Sequence, residues 1–457
     1  MFTVADIGRA TGGILQGGSE QLVTAVSTDS RSVEPGQLFV PLRGERFDGH
    51  DFLPQVAERG VTVALVERQW VNSHAAPPGL TLIVVPDTLR ALGDLAIFHR
   101  QRFELPVVGI TGSNGKTTTK EMLASILSFT GPGLKTSGNL NNLIGLPQML
   151  FRLSATDRWA VLEMGMSEFG EIDRLAEIAA PSIGIVTNVF PAHLETLKNV
   201  AGVARAKGEL FLRLPSGGVA VANGDDPLVA ALPAAPGVHR LEFGLVRGEV
   251  TARDIRPLGL TGQQFTLVLP KGEQQVRLRA FGRHNIVNAL GAAAAAYAFG
   301  VKPSLIREGL EEFTPYDKRL KVEELPGIVL VDDSYNANPA SMAAALATVK
   351  EIAAGRRVVA VLGDMLELGE ESDAAHRQLG EQVAAAADRL FVLGECSQLV
   401  AQGARSAGMA EEQVSQATSH DEIVALLKKE ATGNDLVLVK GSRGMRMEQV
   451  AQALRNI

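Results

Sequence analysis

Val107-Val108-Gly109-Ile110-Thr111-Gly112-Ser113-Asn114-Gly115-Lys116-Thr117-Thr118-Thr119 is the stretch around which this chain is organised. An apolar run from Leu105 to Ile110 ends in a turn carrying Gly112 and Gly115, and a helix-prone run follows from Lys116 to about Ser128. Strand, glycine turn and helix in that order cradle a polyphosphate. Glycines let backbone N–H groups face the phosphates, and the helix N-terminus adds the positive end of its dipole. Lys116 is expected to reach the β/γ-phosphates and the Thr117 hydroxyl to hold Mg²⁺. The strict pattern G-x-x-x-x-G-K-[ST] is not met, because Ile110 stands five positions before Gly115. The stretch reads T-G-x-N-G-K-T, a shorter variant.

Composition bounds the rest. A chain of 457 residues holds two to four domains at the usual ~100–200 residues each, and 46% apolar residues support sizeable cores. The net charge of −7, from 44 basic and 51 acidic residues without a block of one sign, points to neither nucleic acid nor an anionic membrane surface. Cys396 is the single cysteine, which excludes a disulfide framework and fits a reducing, cytoplasmic setting. The stretch Met1 to Asp6 lacks a basic region followed by an apolar core, so no signal peptide is expected. No window approaches the ~18 uninterrupted apolar residues of a transmembrane helix. Aromatics at 5% with abundant Ala and Gly favour α/β layers over a β-sandwich.

Residues 1 to about 100 read as a small α/β domain, with a helix at Val4 to Thr11 ended by Gly12-Gly13. Its strand-like runs are Gly36 to Leu42, Val61 to Val66 and Leu80 to Val85. Two polar loops, Ser27-Thr28-Asp29-Ser30-Arg31 and Arg43 to His50, are either ligand loops for a phosphorylated molecule or ordinary turns. A linking helix from Asp87 to Arg102 leads to a central domain, 101–314, of alternating strands and helices. Its strands are Val107 to Thr111, Trp159 to Met164 and Ile183 to Asn188; its helices are Lys116 to Ser128, Glu171 to Ala179 and Ala201 to Leu214. Such alternation gives a mostly parallel sheet with ligands at the carboxyl ends of its strands. From about 240 to 282, alternation and turns suggest a few antiparallel strands, and His284 to Phe299 is an Ala-rich helix. Thr314-Pro315-Tyr316 reads as a hinge into a third, Rossmann-like unit, 315–457, with strands at Ile328 to Val331, Val358 to Leu362, Leu390 to Leu393 and Leu436 to Lys440. It has no G-x-G-x-x-G, so a nicotinamide cofactor is not implied.

Several polar residues stand where chemistry would need them. Mg²⁺ takes oxygen ligands with one or two carboxylates, and Glu163 ends a strand beside the phosphate loop. His193, in Pro191-Ala192-His193-Leu194-Glu195, follows the third central strand, and Lys207 lies on the next helix; by spacing alone either is an ordinary surface residue. Asp332-Asp333-Ser334-Tyr335-Asn336-Ala337-Asn338-Pro339 packs paired acids, Ser, Tyr and two Asn after an apolar strand, which is dense for a simple turn, and Asp333 could hold a ribose hydroxyl. Lys440-Gly441-Ser442-Arg443-Gly444 ends the last strand and suits a carboxylate or phosphate clamp.

Taken in order, T-G-S-N-G-K-T, E-M-G, H-L-E, A-K-G-E, G-R-H-N-I-V-N-A and D-D-S-Y-N-A-N-P resemble the Mur ligase superfamily of ATP-dependent amide-forming enzymes, over essentially the whole chain. The N-terminal S-T-D-S-R-x-V-x-P-G-x-L-F-V-P-L-x-G-x-x-x-D-G-H resembles the UDP-binding domain of the third-residue-adding and dipeptide-adding members. D-D-S-Y-N-A-N-P resembles the dipeptide-adding member; the D-Y-A-H-x-P and D-N-P-R motifs of the third-residue-adding one are absent. The resemblance implies three α/β domains: a UDP-binding domain at 1–100, a central P-loop ATPase and a C-terminal Rossmann-like domain. It implies ATP and Mg²⁺, and an acyl phosphate through which D-alanyl-D-alanine is joined to UDP-N-acetylmuramoyl-tripeptide for peptidoglycan. A monomer with mobile domains is the default expectation. The alternatives are a sibling ligase adding the third residue, folylpolyglutamate synthetase, and a non-catalytic ATP-binding switch.

Residue by residue, the resemblance implies that Gly112, Ser113, Asn114, Gly115, Lys116, Thr117 and Thr118 bind the ATP phosphates. Glu163 and His193 would lie at magnesium, and Lys207 would be carbamylated and bridge metal. Asn285 and Asn288 would contact adenine, Asp333 the ribose, and Arg319 would reach the nucleotide from the third domain. The linker Tyr316-Asp317-Lys318-Arg319-Leu320 departs from the family's glycine-bearing G-R-[LM]. Ser30, Arg31, Asp48 and His50 would lie at the UDP group, and Asn139, Asn141 and Asn142 along the substrate peptide. Tyr335, Asn336, Asn338, Lys440, Ser442 and Arg443 would face the dipeptide.

Overall fold

The computed structural model describes residues 2–456 apart from 19, 45, 192, 316, 431 and 432. Tyr316 of the expected hinge, Ala192 of the segment before His193, and the side chain of Leu194 lie outside the described residues. The chain forms two compact units, Met1–Gly109 with Pro132–Met166 and Gly170–Pro181, and Ile110–Gly131 with Ser167–Phe169 and Ser182–Ile457.

In the first unit the helix Val4–Thr11 begins and ends where the sequence marks it. Thr3 and Asp6 close a reciprocal capping box, and Gly12 takes the left-handed conformation that stops the helix. A five-stranded sheet runs in the spatial order Ile14–Gln16, Thr81–Val85, Val63–Glu67, Gln37–Phe39, Ala25–Ser27. Only the first of these strands is antiparallel to its neighbour. Val33, Phe39, Leu53, Val56, Trp70 and Leu82 pack on one another to form a core there. Ile14–Gln16 and Ala25–Ser27, the two edges, are three residues each and carry no fully buried residue, which is why periodicity did not mark them.

Val107–Thr111 belongs to a six-stranded sheet of order His239–Phe243, Val219–Asn223, Ile183–Val186, Val107–Thr111, Ala160–Glu163, Leu134–Lys135. All residues of Val107–Thr111 and Ile183–Val186 are buried, as expected of parallel strands covered by helices on both faces. The antiparallel strands expected between about 240 and 282 are present from Thr251 on; only His239–Phe243, at the start of that range, differs, pairing parallel with Val219–Asn223. His239 to Glu242 are exposed or half-buried and only Phe243 is buried, as in an edge strand, and such a pattern carries no information on the direction of the partner.

In the second unit the antiparallel strands are Thr251–Pro257, Gln263–Leu269 and Gly272–Leu278. The helix Arg283–Ala298 buries eleven residues, mostly Ala, because small side chains let it approach its neighbours closely; a Cβ at Gly291 would already lie 3.1 Å from the Phe243 ring. The C-terminal sheet has the order Lys321–Leu325, Ile328–Asp333, Asp435–Lys440, Val358–Gly363, Arg389–Leu393, Val414–Ala417. Only its first strand is antiparallel to its neighbour. This Rossmann-like arrangement brings Asp333 and Lys440 side by side, since Ile328–Asp333 and Asp435–Lys440 are adjacent and in register at those residues. Among the described residues no helix is long and apolar enough to cross a membrane.

Candidate active site

The phosphate loop is fixed by its glycines and by the end of the neighbouring strand. Gly112 and Gly115 have φ of +152° and +82°, a region that side chains strain to reach. A Cβ at Gly112 would fall 1.9 Å from Thr187 Oγ1, and one at Gly115 2.2 Å from Asn288 Oδ1. Thr187 and Asn188 clamp the loop. Thr187 Oγ1 donates to the Asn114 carbonyl at 2.6 Å, Asn188 Nδ2 donates to the same carbonyl at 3.0 Å, and Asn188 Oδ1 accepts from Asn114 N at 2.8 Å. Ser113 Oγ donates to Phe190 O at 3.0 Å and accepts from Phe190 N at 2.9 Å. Lys116 Nζ curls back to the Gly112 carbonyl at 2.7 Å, the posture of a lysine poised over the loop it serves. Thr117 is buried and Thr118 half-buried in the first helical turn.

Asn285 and Asn288 sit in the first two turns of Arg283–Ala298, both 6% exposed. Asn288 Nδ2 donates to Asn285 Oδ1 at 3.0 Å, and Asn285 Nδ2 to Phe281 O at 2.9 Å. His284 beside them is held neutral, its pKa pushed down to about 4 by burial, with Lys440 lowering it and Asp333 opposing.

Asp333 and Lys440 form a tight pair. Lys440 Nζ donates to Asp333 Oδ2 at 2.6 Å and to Asn336 O at 2.9 Å, while Asp333 Oδ1 accepts from Leu320 N at 3.0 Å. Asp332, its neighbour, braces the fold by taking hydrogen bonds from Ser334 and from Arg455. Arg319 stacks its guanidinium 3.8 Å from the Tyr335 ring centre and donates to Thr117 Oγ1 at 3.4 Å. The Asp317-Lys318 departure from the family linker therefore leaves Arg319 at the phosphate loop; Lys318 meets its unusual place with φ +63°. Ser442 Oγ donates to Ala337 O at 3.3 Å, and Arg443 N to Asn336 Oδ1 at 3.2 Å. Asn338 and Asn114 exchange amide hydrogen bonds at 2.7 and 3.3 Å.

Lys207 is 4% exposed. Burial first, and then the charge of Lys116, push its amine well below the ordinary lysine range. His193 takes a left-handed φ of +51°, and its Nδ1 lies 3.6 Å from Glu367 Oε2.

In the first unit, Glu163 is 3% exposed; its Oε1 accepts from Asn141 Nδ2 at 2.9 Å and its backbone N donates to Thr136 Oγ1 at 2.8 Å. Asn142 is turned onto the turn before a helix, its Oδ1 accepting from Ile144 N at 3.2 Å and Gly145 N at 2.8 Å, and Asn139 is exposed beside it. His50 is fully buried with both ring nitrogens engaged, Nδ1 on Asp48 Oδ1 at 2.6 Å and Nε2 accepting from Glu67 N at 3.0 Å, so it positions Asp48 and offers no free nitrogen. A cavity of about 310 Å³ is lined by Ser27, Thr28, Asp29, Gln148 and Arg152 among others. Ser30 and Arg31 do not line it; Arg31 forks onto Asp29 at 2.9 and 2.8 Å, and that hydrogen-bonded pair draws the Asp29 carboxyl down to about 2.

Sequence reasoning missed Thr187, Gln148 and Glu367. Thr187 could have been found, since it precedes Asn188 at the carboxyl end of a central strand; Gln148 on a helix and Glu367 on a loop carry no local signal.

Three profiles match the chain: the Mur ligase family catalytic domain over residues 22–100, the Mur ligase middle domain over 110–296, and the Mur ligase glutamate ligase domain over 318–443. The chain is 39% identical over 458 residues to UDP-N-acetylmuramoyl-tripeptide–D-alanyl-D-alanine ligase of Escherichia coli strain K12, covering 99% of this chain and 98% of that one. A crystal structure of MurF from Acinetobacter baumannii superposes with a TM-score of 0.91 at 35% identity, covering 100% and 99% of the two chains. MurF ligase from Thermotoga maritima in complex with ADP superposes with a TM-score of 0.83 at 28% identity, covering 95% and 98%.

Proposed function

The chain belongs to the Mur ligase family, and from that premise we infer how its residues carry out the family's chemistry. It is an ATP-dependent, ADP-forming ligase that joins D-alanyl-D-alanine to UDP-N-acetylmuramoyl-tripeptide, giving the pentapeptide for peptidoglycan synthesis. The observation that carries the assignment of roles is the contact of Asn338 in D-D-S-Y-N-A-N-P with Asn114 of the phosphate loop, which joins the dipeptide motif to the ATP motif. Domain limits at 1–100, 101–314 and 315–457 are supported by the three matched segments. A monomer working in the cytoplasm is the simplest setting for such a reaction.

In the first step the terminal carboxylate of the tripeptide attacks the γ-phosphorus of ATP. The bond to the ADP oxygen breaks, and negative charge spreads over the phosphoryl oxygens. Lys116 leaves the Gly112 carbonyl for these oxygens, and the backbone N–H groups of the loop stabilise them in place. Arg319, held against Tyr335, adds a second cation beside Thr117. Asp333 takes the ribose and Asn285 and Asn288 the adenine.

The donors suit magnesium: a buried threonine hydroxyl at a helix start and, for Lys207, an amine whose proton burial and Lys116 make easier to lose, as uptake of CO₂ requires. Bound Mg²⁺ would neutralise charge on the β- and γ-phosphate oxygens. Thr117, His193 and carbamylated Lys207 are the proposed holders in the second unit, while Glu163 is assigned by the sequence resemblance alone. In the second step the amine of D-alanyl-D-alanine attacks the acyl carbon, the amide forms, and phosphate leaves. Tyr335, Asn336, Asn338 and Arg443 would face that substrate, with the buried Lys440 and Ser442 holding the Asn336 and Ala337 carbonyls behind them rather than meeting it.

Phosphate release from ATP tests the whole reading. Release that needs the tripeptide and D-alanyl-D-alanine together, with a product heavier by the dipeptide less water, is the expected result. Release only with the UDP-dipeptide and a free diamino acid would assign the third-residue reaction instead, and release only with tetrahydrofolate and glutamate the folate reaction.

A further inference from the structure

The loop Gly363 to Gly369, which follows the strand Val358–Gly363, carries an acidic side chain that no sequence motif marked. One serine stitches this loop to the Lys440–Arg443 turn, donating from Ser442 N to Asp364 O at 3.0 Å and accepting at Ser442 Oγ from Leu366 N at 2.9 Å. Asp364 anchors the loop from behind. It is 5% exposed, and both its carboxylate oxygens accept from Cys396 N at 3.3 Å. On this braced base Glu367 stands in the left-handed region at φ +65°, a conformation disfavoured for a side-chain-bearing residue. The result is that its carboxylate projects, with its side chain 76% exposed, toward His193 at 3.6 Å. His193 in turn follows the Asn188–Phe190 segment that clamps the phosphate loop. At the other side of Ser442, the Arg443 guanidinium is 60% exposed and 5.6 Å from the Tyr335 ring, with one nitrogen on Glu448 Oε1 at 3.2 Å and the rest of the fork facing outward.

A free dipeptide is a zwitterion, and only its amino end reacts. A site that orients it needs an anion for the ammonium and a cation for the carboxylate on separate supports. Glu367 and Arg443, an acid and a cation, lie on two loops joined through Ser442, the acid beside His193 and the cation beside Tyr335. We propose that Glu367 receives the amino end of the incoming dipeptide and directs it toward the phosphate loop, with Arg443 receiving its carboxylate. This rests on the ligase reading above and adds to it an amine-binding residue and an orientation. It also accounts for an exposed acid held in a costly backbone conformation next to a histidine.

The test is steady-state kinetics on the full chain with Glu367→Gln, which keeps size and shape and removes the charge. A charge-assisted hydrogen bond lost from a bound ammonium corresponds to about a tenfold to hundredfold weaker interaction. The KM for D-alanyl-D-alanine should rise by that factor, with the KM values for ATP and the UDP-tripeptide unchanged. D-lactyl-D-alanine, which carries a hydroxyl in place of the amine, serves as the second probe. It should inhibit wild type far more weakly than D-alanyl-D-alanine binds, and that discrimination should collapse in Glu367→Gln. Active wild type together with an unchanged dipeptide KM in the variant overturns the inference while leaving the ligase reading intact. An equal rise in all three KM values also overturns it, since it marks a general loss of structure. Wild type that releases no phosphate with the tripeptide and dipeptide removes the ligase reading, and this inference with it.

Discussion

Asn114 and Asn338, one in the phosphate loop and one at the start of the helix Pro339–Ile352, exchange both amide hydrogen bonds across 224 positions of sequence. Asn338 also caps its helix, its side chain accepting from Ser341 N at 2.9 Å. The two duties can be separated. In Asn338→Asp the cap survives, because Asp caps helices as well as Asn does. The donor to Asn114 Oδ1 is lost, and a carboxylate now faces that oxygen. We expect the melting temperature to stay within a few degrees and ATP-dependent ligation to fall about tenfold or more, by analogy with a single lost buried hydrogen bond of about 1–3 kcal/mol. Unchanged kcat in Asn338→Asp would show the pair to be ornamental to turnover.

Lys207 should respond to carbon dioxide. Burial and then Lys116 push its amine well below the ordinary lysine range, toward the neutral form that reacts with CO₂. Protein stripped of CO₂ should lose ligase activity and regain it on adding bicarbonate, and ¹³C-bicarbonate should give a carbamate carbon resonance absent from Lys207→Ala. Lys207→Ala should be inactive and partly restored by short carboxylic acids. Full activity in Lys207→Ala would dismiss the role.

Gly112→Ala and Gly115→Ala should each abolish nucleotide binding. The left-handed or extended-positive φ of both positions disfavours any side chain, and the new Cβ would meet Thr187 Oγ1 at 1.9 Å or Asn288 Oδ1 at 2.2 Å. Titration calorimetry with ADP is the measurement. The Gly115 change should also disturb Asn288, so its loss should include contacts to the base.

Lys440 is 2% exposed and paired with Asp333. Lys440→Met leaves the carboxylate with only the Leu320 amide, and breaking a buried pair from one side costs about 3 kcal/mol or more. Adding Asp333→Asn to Lys440→Met should return part of that stability, because no unpaired charge then remains, while activity stays low. Urea denaturation of the two variants and the double variant closes the cycle.

His99 gives the protein an acid-sensitive window. It is 4% exposed among Phe2, Phe103 and Phe151, and burial, then the nearby Arg102, push its pKa from 6.5 down to about 4. Below 6.5 the unfolded chain takes up a proton that the folded ring refuses, so stability falls as pH drops from 6.5 to about 4 and then levels off. His284 acts with the same sign. His99→Phe should flatten the pH dependence of the urea midpoint in that window, leaving the part due to His284. An unaltered slope would mean that the ring is not kept neutral.

The sequence alone determined the parts of this protein that are set by neighbours along the chain. T-G-S-N-G-K-T is legible because the glycines, Lys116 and Thr117 must stand at fixed short intervals for one turn to hold phosphate. The helix Val4–Thr11 is legible because Thr3, Asp6 and Gly12 act within a few residues of each other. Buried strands such as Val107–Thr111 announce themselves as apolar runs, whereas the edge strands Lys321–Leu325 and Val414–Ala417, half in water, do not. Only the tertiary structure decided which distant residues meet. It turned His50 inward, with both nitrogens spent on Asp48 and Glu67, and spent the Asn142 side chain on the Ile144 and Gly145 amides. It set Thr187 and Asn188 on the loop some 74 positions before them, Asn338 on Asn114, and Glu367 beside His193. The physical reason is that such contacts are chosen by which strand lies next to which, and by where each strand ends. Local spacing fixes the geometry of a turn but carries no record of the partner that the folded sheet will bring to it.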